Sequence, residues 1–216
     1  MKKAFTLAEV LITLGIIGVV AAITLPTIVK NYKEREFISA WKKVYSDVSN
    51  ATLLMSQNEE DISTEQLTGE AFAKYLKIDR VCEANKGIEQ GCWRKNTLIY
   101  DRKKIRYTDD ITSAGGGSVC MHLTSGAIFC VDCGGDYYCN LTFDVNGPTK
   151  PNKIGTDVFF GTFNKKLYQI KPARGRCVNW GSADGTWVKC SADSSCSGTC
   201  DADPKGYGCS AEKLLK

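Results

Sequence analysis

Glu9 is the one charge within an otherwise apolar run that extends from Phe5 to Val29. From Val10 to Val29, twenty consecutive residues carry no charge, and about twenty residues at ~1.5 Å rise each cross a hydrocarbon core of ~30 Å. A carboxylate in lipid costs roughly 2.5–3.5 kcal/mol even on the mildest insertion scale, so it calls for a partner. The chemistry this residue offers is the pairing of a buried charge. Lys2 and Lys3 precede the run and, by the positive-inside tendency, put the N-terminus in the cytoplasm with the rest of the chain outside. A secretory signal peptide has a shorter apolar core, roughly 7–15 residues, and no acid at its start. The competing reading is an ordinary signal anchor whose acid reaches back to the interface.

The second set of reactive side chains is the cysteines: Cys82, Cys92, Cys120, Cys130, Cys133, Cys139, Cys177, Cys190, Cys196, Cys200 and Cys209, beside a single histidine, His122. That usage suits an oxidising compartment, in agreement with the topology argument. Three chemistries compete. Disulfide stapling fits a small sheet with long loops, which buries little core; each crosslink typically adds ~2–4 kcal/mol. A zinc site would use Cys130-Val-Asp-Cys133 with Cys196 and Cys200, a poorer match in spacing. A thioredoxin-type pair at Cys130 and Cys133 needs a helix start after the first cysteine, whereas the context reads as strand. The local pairings expected are Cys82–Cys92, Cys120–Cys130 and Cys133–Cys139. Pairings within the tail stay open, and the odd count leaves at least one cysteine free or bonded to another chain.

Asp144-Val-Asn146-Gly147, followed by Pro151-Asn152, Gly155 and Asp157, gathers short oxygen-bearing side chains on a glycine-containing loop. Asp144, Asn146 and Asp157 are the candidate ligands of a calcium ion, which takes six to eight oxygens. The same residue types are those of ordinary turns, and the regular acidic spacing of a helix-loop-helix calcium site is lacking. No cofactor is required by the sequence, and calcium is the one it leaves possible. Catalysis finds no foothold: His122 lies on an expected strand without a nucleophile motif nearby. Gly115-Gly116-Gly117 lacks the lysine and helix of a phosphate-binding loop. Glu59, Glu60 and Asp61 read as a solvated loop, and Tyr137, Tyr138, Phe159 and Phe160 as core aromatics before an exposed patch. A net charge of +4 over 216 residues gives little support to nucleic-acid binding. An enzyme is not expected.

The elements that must position these residues are one long helix and a sheet. Phe37, Trp41, Val44, Tyr45, Val48 and Met55 recur at mostly three- and four-residue steps, so Asn31–Gln57 continues the apolar segment as an amphipathic helix. Pro26 removes one hydrogen bond and is expected to kink or locally melt it. A polar stretch, Ser56–Gly69, leads to a short helix at Glu70–Leu76. Strands are expected within Thr97–Tyr107 around a turn at Asp101–Lys104, in a hairpin over Val119–Val131, and at Asn140–Val145, Val158–Phe163 and Lys166–Ile170. Ser113–Ser118 reads as a loop. The hairpin turns at Thr124-Ser125-Gly126, with glycine supplying positive φ, and this register sets Cys120 opposite Cys130. From Arg174 onward the chain reads as a loop-rich tail. The fold class is α+β: a long N-terminal helix, membrane-spanning in its first half, packed on a small disulfide-rich antiparallel sheet.

Lys2-Lys3-Ala4-Phe5-Thr6-Leu7-Ala8-Glu9 resembles the signal of type IV pilins and type II secretion pseudopilins. The resemblance implies cleavage by a prepilin peptidase between Ala4 and Phe5 and N-methylation of Phe5. It places the family's assembly glutamate at Glu9 and its helix proline at Pro26. Ala4 departs from the glycine usual in the family. Implied domains are a leader, 1–4, a transmembrane segment, 5–29, an amphipathic helix, 30–57, and a cysteine-rich head, 58–216. Implied partners are other pilin or pseudopilin subunits, the peptidase, inner-membrane assembly machinery and membrane lipid. The implied location is the inner membrane, single-pass, then a periplasmic or surface filament, and calcium occurs in some pseudopilin heads. A membrane-anchored extracytoplasmic binding module that does not polymerise is the alternative.

Overall fold

The computed structural model describes residues 6–84, 86–93, 97–100, 105–108, 118–133, 137–172 and 213–214. Met1–Glu36 and Phe37–Lys216 form two separate compact units. Helix α1, Leu7–Gln57, supplies backbone to both. Within the first unit its large apolar side chains, among them Leu11, Ile12, Leu14, Ile16, Ile17 and Ile23, are all exposed. The Thr13 and Thr24 hydroxyls donate to the carbonyls of Val10 and Val20, each at 2.9 Å. A hydroxyl in hydrocarbon needs such an internal acceptor, because no water is there to replace it. The local melting expected at Pro26 does not occur: α1 stays helical through it. One missing N–H in so long a helix leaves the turns on either side intact.

In the second unit, α1 buries Phe37, Trp41, Val44, Val48, Ala51, Thr52 and Met55. The alternating four- and three-residue steps keep them on one face of a 3.6-residue helix. Helix α2, Glu65–Tyr75, begins earlier than the expected Glu70 because Thr64 caps it, its side chain accepting from the Leu67 N–H at 3.2 Å. The capping oxygen satisfies one of the N–H groups that the first turn leaves over.

Among the described residues eight strands follow: β1 Ile78–Val81, β2 Thr97–Tyr100, β3 Ile105–Thr108, β4 Ser118–Leu123, β5 Ile128–Asp132, β6 Tyr138–Asp144, β7 Val158–Asn164 and β8 Gln169–Pro172. β2 and β3 pair with each other, and the remaining six form one antiparallel sheet in the order β1-β4-β5-β6-β7-β8. β1 was not expected, and Ser118, expected in a loop, opens β4. β8 starts later than Lys166 because the Asn164 side chain accepts from the Leu167 N–H at 3.0 Å and Tyr168 takes φ 48°, making Lys165–Tyr168 a turn. Residues 113–117 and the tail from Arg174 lie outside the described residues, apart from Lys213 and Leu214, whose side chain packs on the main core.

Alternate residues of the sheet serve two cores, as the period of two requires. Val119, Met121, Phe129, Leu141, Phe143, Phe159 and Phe163 pack with the two helices. Cys120, Ile128, Cys130, Val158 and Phe160 face a second cluster made with Cys82, Cys92, Trp93 and Ile154. Phe159 and Phe160 are thus core residues, while Tyr137 stays exposed.

Close packing of α2 on β4 gives a test. A Cβ added at Gly69 would stand 2.6 Å from Val119 Cγ1 and 2.8 Å from its Cβ. Turning the valine about its first side-chain bond leaves the Cβ clash in place. Alanine in a helix gains about 0.8–1 kcal/mol over glycine, while overpacking costs about 1–3 kcal/mol. Gly69→Ala is therefore expected to lower stability by up to about 2 kcal/mol in chemical denaturation. A stabilised variant would mean that the helix slides freely over β4.

Candidate functional site

Helix α1 opens with Thr6 and Glu9 in reciprocal hydrogen bonds. The Glu9 N–H donates to Thr6 Oγ1 at 3.3 Å, and the Thr6 N–H donates to Glu9 Oε2 at 2.9 Å. The Thr6 hydroxyl donates to the same Oε2, also at 2.9 Å. A threonine and a glutamate three residues apart, each satisfying the other's main-chain N–H, form a capping box in which the acid also meets the positive end of the helix dipole. The spacing was legible in the sequence, yet Thr6 was not among the residues expected to matter. Ala4 and Phe5 lie outside the described residues. Pro26, Gly15 and Gly18 lie farther along the exposed segment, and a Cβ at either glycine would meet nothing within 4 Å.

The cysteines of the described residues are all paired. Cys82–Cys92, Cys120–Cys130 and Cys133–Cys139 are disulfides. Cys120 stands directly across from Cys130 on β4 and β5. The zinc and thioredoxin readings of Cys130 and Cys133 are corrected by this arrangement: each sulfur is bonded elsewhere, and Cys130 sits on a strand. Cys177, Cys190, Cys196, Cys200 and Cys209 lie outside the described residues. His122 Nε2 is 3.0 Å from the Gly91 carbonyl, which together with Arg80 Nη1 donating to the Gln90 carbonyl at 3.3 Å fastens the loop closed by Cys82–Cys92 to the sheet. Its role is to hold a loop.

The acidic run after α1 is not simply solvated. Glu60 accepts from the Tyr75 hydroxyl at 2.7 Å and from the Lys74 ammonium, and its carbonyl accepts from the Tyr168 hydroxyl at 3.1 Å. The Lys74 hydrogen bond, then that of Tyr75, holds the Glu60 carboxyl below the ordinary glutamate range. Nearby, Lys165 Nζ donates to the Ser63 carbonyl at 2.9 Å. These bonds fix the turn between the helices. A groove of about 450 Å³ beside it, lined by Lys43, Asp47, Leu54, Tyr75, Lys77 and Thr124 among others, contains no histidine to activate a nucleophile.

Asp144, the last residue of β6, and Asp157, in the loop that leads from β6 to β7, are fully buried. Asp157 accepts from the Asn152 N–H at 2.7 Å with one oxygen and from the Lys153 N–H at 2.6 Å with the other. Asp144 Oδ1 accepts from the Asn146 N–H at 3.3 Å, and Asn146 Nδ2 donates to the Thr149 and Lys150 carbonyls at 2.9 and 3.3 Å. Gly147, at φ 62°, faces the Gly126 carbonyl so closely that a Cβ would collide with it. Two buried oxygens, Asn146 Oδ1 and Asn152 Oδ1, have no hydrogen-bond partner. Among the described residues no three His, Cys, Asp or Glu side chains converge as metal ligands.

Comparison with known proteins adds one finding. No curated protein and no solved structure matches the chain. Residues 1–25 match the model of the prokaryotic N-terminal methylation motif. That stretch contains the capping box and most of the exposed apolar segment, so this chain carries the prepilin-type signal of type IV pilins and pseudopilins.

Proposed function

We propose that the chain is a structural subunit of a type IV pilus-like or type II secretion pseudopilus filament. The supporting observation is that the methylation motif heads an α1 segment with no buried side chain, whereas the later turns of α1 build the head's core. Hydrolysis of the Ala4–Phe5 bond releases the leader and leaves an amine at Phe5, which the peptidase methylates with a methyl donor. The subunit waits in the inner membrane as a single-span protein with its head outside. Exposed helices then exchange lipid for neighbouring helices, and Glu9 neutralises the amine of an adjacent subunit. A buried pair of this kind selects an axial register, since either charge alone is strongly disfavoured. Assembly energy comes from separate machinery.

The deciding experiment is intact-mass and N-terminal peptide spectrometry of the protein from membranes of a host with a prepilin peptidase. A mature chain beginning at N-methylated Phe5 is expected. A chain still beginning at Met1, unchanged by Ala4→Gly, would overturn the proposal, as would a cut near Ala22.

We also propose that the β6–β7 loop closes without a cation. Both Asp157 oxygens and one of Asp144 already take main-chain N–H groups, and two carboxylates fall short of the six to eight oxygens calcium prefers. A bridging water is the ordinary partner for the two amide oxygens left over. The melting temperature in detergent is therefore expected to be the same with calcium as with a chelator. A calcium-dependent rise of several degrees that disappears in Asn146→Ala would overturn this and make Asp144, Asn146 and Asp157 ligands.

A further inference from the structure

We infer that residues 86–92 are a lid over the Cys120–Cys130 disulfide, latched by Cys82–Cys92, so that thiols open the two bonds in a fixed order. Nothing in this depends on the filament reading. The second core, which holds both disulfides, contains no residue of either helix, and Ile88 of the lid packs against it. Gly87 lies so close to Cys120 that an added Cβ would stand 3.2 Å from its Sγ and 3.4 Å from its Cβ. Cys120 and Cys130 are each 1% exposed, and a disulfide is broken only where a thiolate reaches one of its sulfurs. The fastenings of lid and sheet differ. Cys120 and Cys130 sit on paired strands flanked by β1 and β6, so freeing them from below means pulling the sheet apart. The lid is held by the Gly91 carbonyl on His122 and by Arg80 on the Gln90 carbonyl. Within the loop, the Trp93 N–H donates to the Gly87 carbonyl and the Glu83 N–H to Gln90 Oε1, each at 2.8 Å. A loop with so few bonds opens at lower free energy than a central strand. Reducing Cys82–Cys92 also releases the two ends of the loop from each other, which raises the entropy gained when it lifts. The latch thus decides whether the sheet's own disulfide can exchange with outside thiols.

With dithiothreitol as the reductant, a thiolate attacks one cysteine sulfur, forms a mixed disulfide and releases the other cysteine as a thiolate. The reagent's second thiol then closes its own ring and frees the first cysteine. Each bond takes up two electrons, and each reagent molecule leaves oxidised.

The test is reduction of the full-length protein in detergent by dithiothreitol without denaturant. Samples are trapped with N-ethylmaleimide and read cysteine by cysteine by peptide mass spectrometry. In the wild type Cys82 and Cys92 are expected to be trapped first, and Cys120 and Cys130 only later. Two variants lift the lid: Cys82→Ala/Cys92→Ala, and Gly87→Val, which keeps every cysteine but cannot seat its side chain against Cys120. In both, Cys120–Cys130 is expected to open about tenfold faster or more. Cys133–Cys139, which packs in the main core, is the internal control, and its rate should stay within about twofold of wild type. Wild-type protein in which Cys120 and Cys130 are trapped before or together with Cys82 and Cys92 would overturn the inference. An unchanged Cys120–Cys130 rate in either variant would do the same. Equal acceleration at Cys133–Cys139 would also sink it, since the variants would then be loosening the whole head.

Discussion

Trp41→Ala is expected to lower the melting temperature of the full-length protein in detergent by roughly 6–20 °C. Trp41 is fully buried. It stacks on Phe159 with centroids 4.9 Å apart and 10° between planes, and meets Phe143 edge-on at 4.8 Å and Tyr45 at 5.4 Å. It is therefore the point where α1 locks onto β6 and β7. Truncating a buried tryptophan to alanine costs about 3–5 kcal/mol, because the cavity closes only in part. For a domain of about 150–250 residues each kcal/mol moves the midpoint by about 2–4 °C. Against a total stability of about 5–15 kcal/mol that is a large share. Ile12→Ala serves as the control: Ile12 is 63% exposed, and its loss should leave the head's transition where it was. A shift under about 3 °C for Trp41→Ala would mean that the sheet keeps its order without the helix against it.

Much of this core was legible in the sequence because its signals are local. The four- and three-residue steps from Phe37 to Met55 describe a helix face whatever the rest of the chain does. Gly126, at φ 87°, fixes a short turn, and the turn alone brings Cys120 opposite Cys130. β1 is different. Ile78-Asp79-Arg80-Val81 has two charges in its middle and lies at the sheet's edge, where three of its residues are exposed. It is a strand because β4 offers it a partner more than thirty residues later in the chain, with the Cys82 N–H bonded to the Cys120 carbonyl at 2.8 Å just beyond it. Nothing within four residues encodes that. Glu60 is misread for the same reason, since Lys74, Tyr75 and Tyr168 meet it only after folding. In the β6–β7 loop the ambiguity is chemical. Aspartate and asparagine oxygens serve a turn's N–H groups and a cation equally well, so residue types alone do not separate the two. Thr6 is the opposite case: both members of its capping box, Thr6 and Glu9, stand three residues apart in the sequence, and the cost of the acid in lipid hides its second role as a cap.

Glu9→Leu is expected to leave a cleaved, membrane-resident chain with an unchanged head and to lower the sheared filament fraction by roughly a hundredfold or more. The variant removes a carboxylate from the apolar segment, so a lone subunit sits in lipid at lower cost than the wild type. On the filament reading proposed above, what it loses is the counter-charge for the neighbour's amine. Breaking a buried pair by removing one partner costs about 3–5 kcal/mol, and every ~1.4 kcal/mol is a factor of ten. The same variant separates the two functional readings. A membrane-anchored binding module has no use for a carboxylate at this depth, and its head would hold ligand equally well without it. A filament subunit stops at the membrane. Filaments of Glu9→Leu at wild-type yield would show that helix packing alone sets the register, and the buried pair would lose its role in assembly.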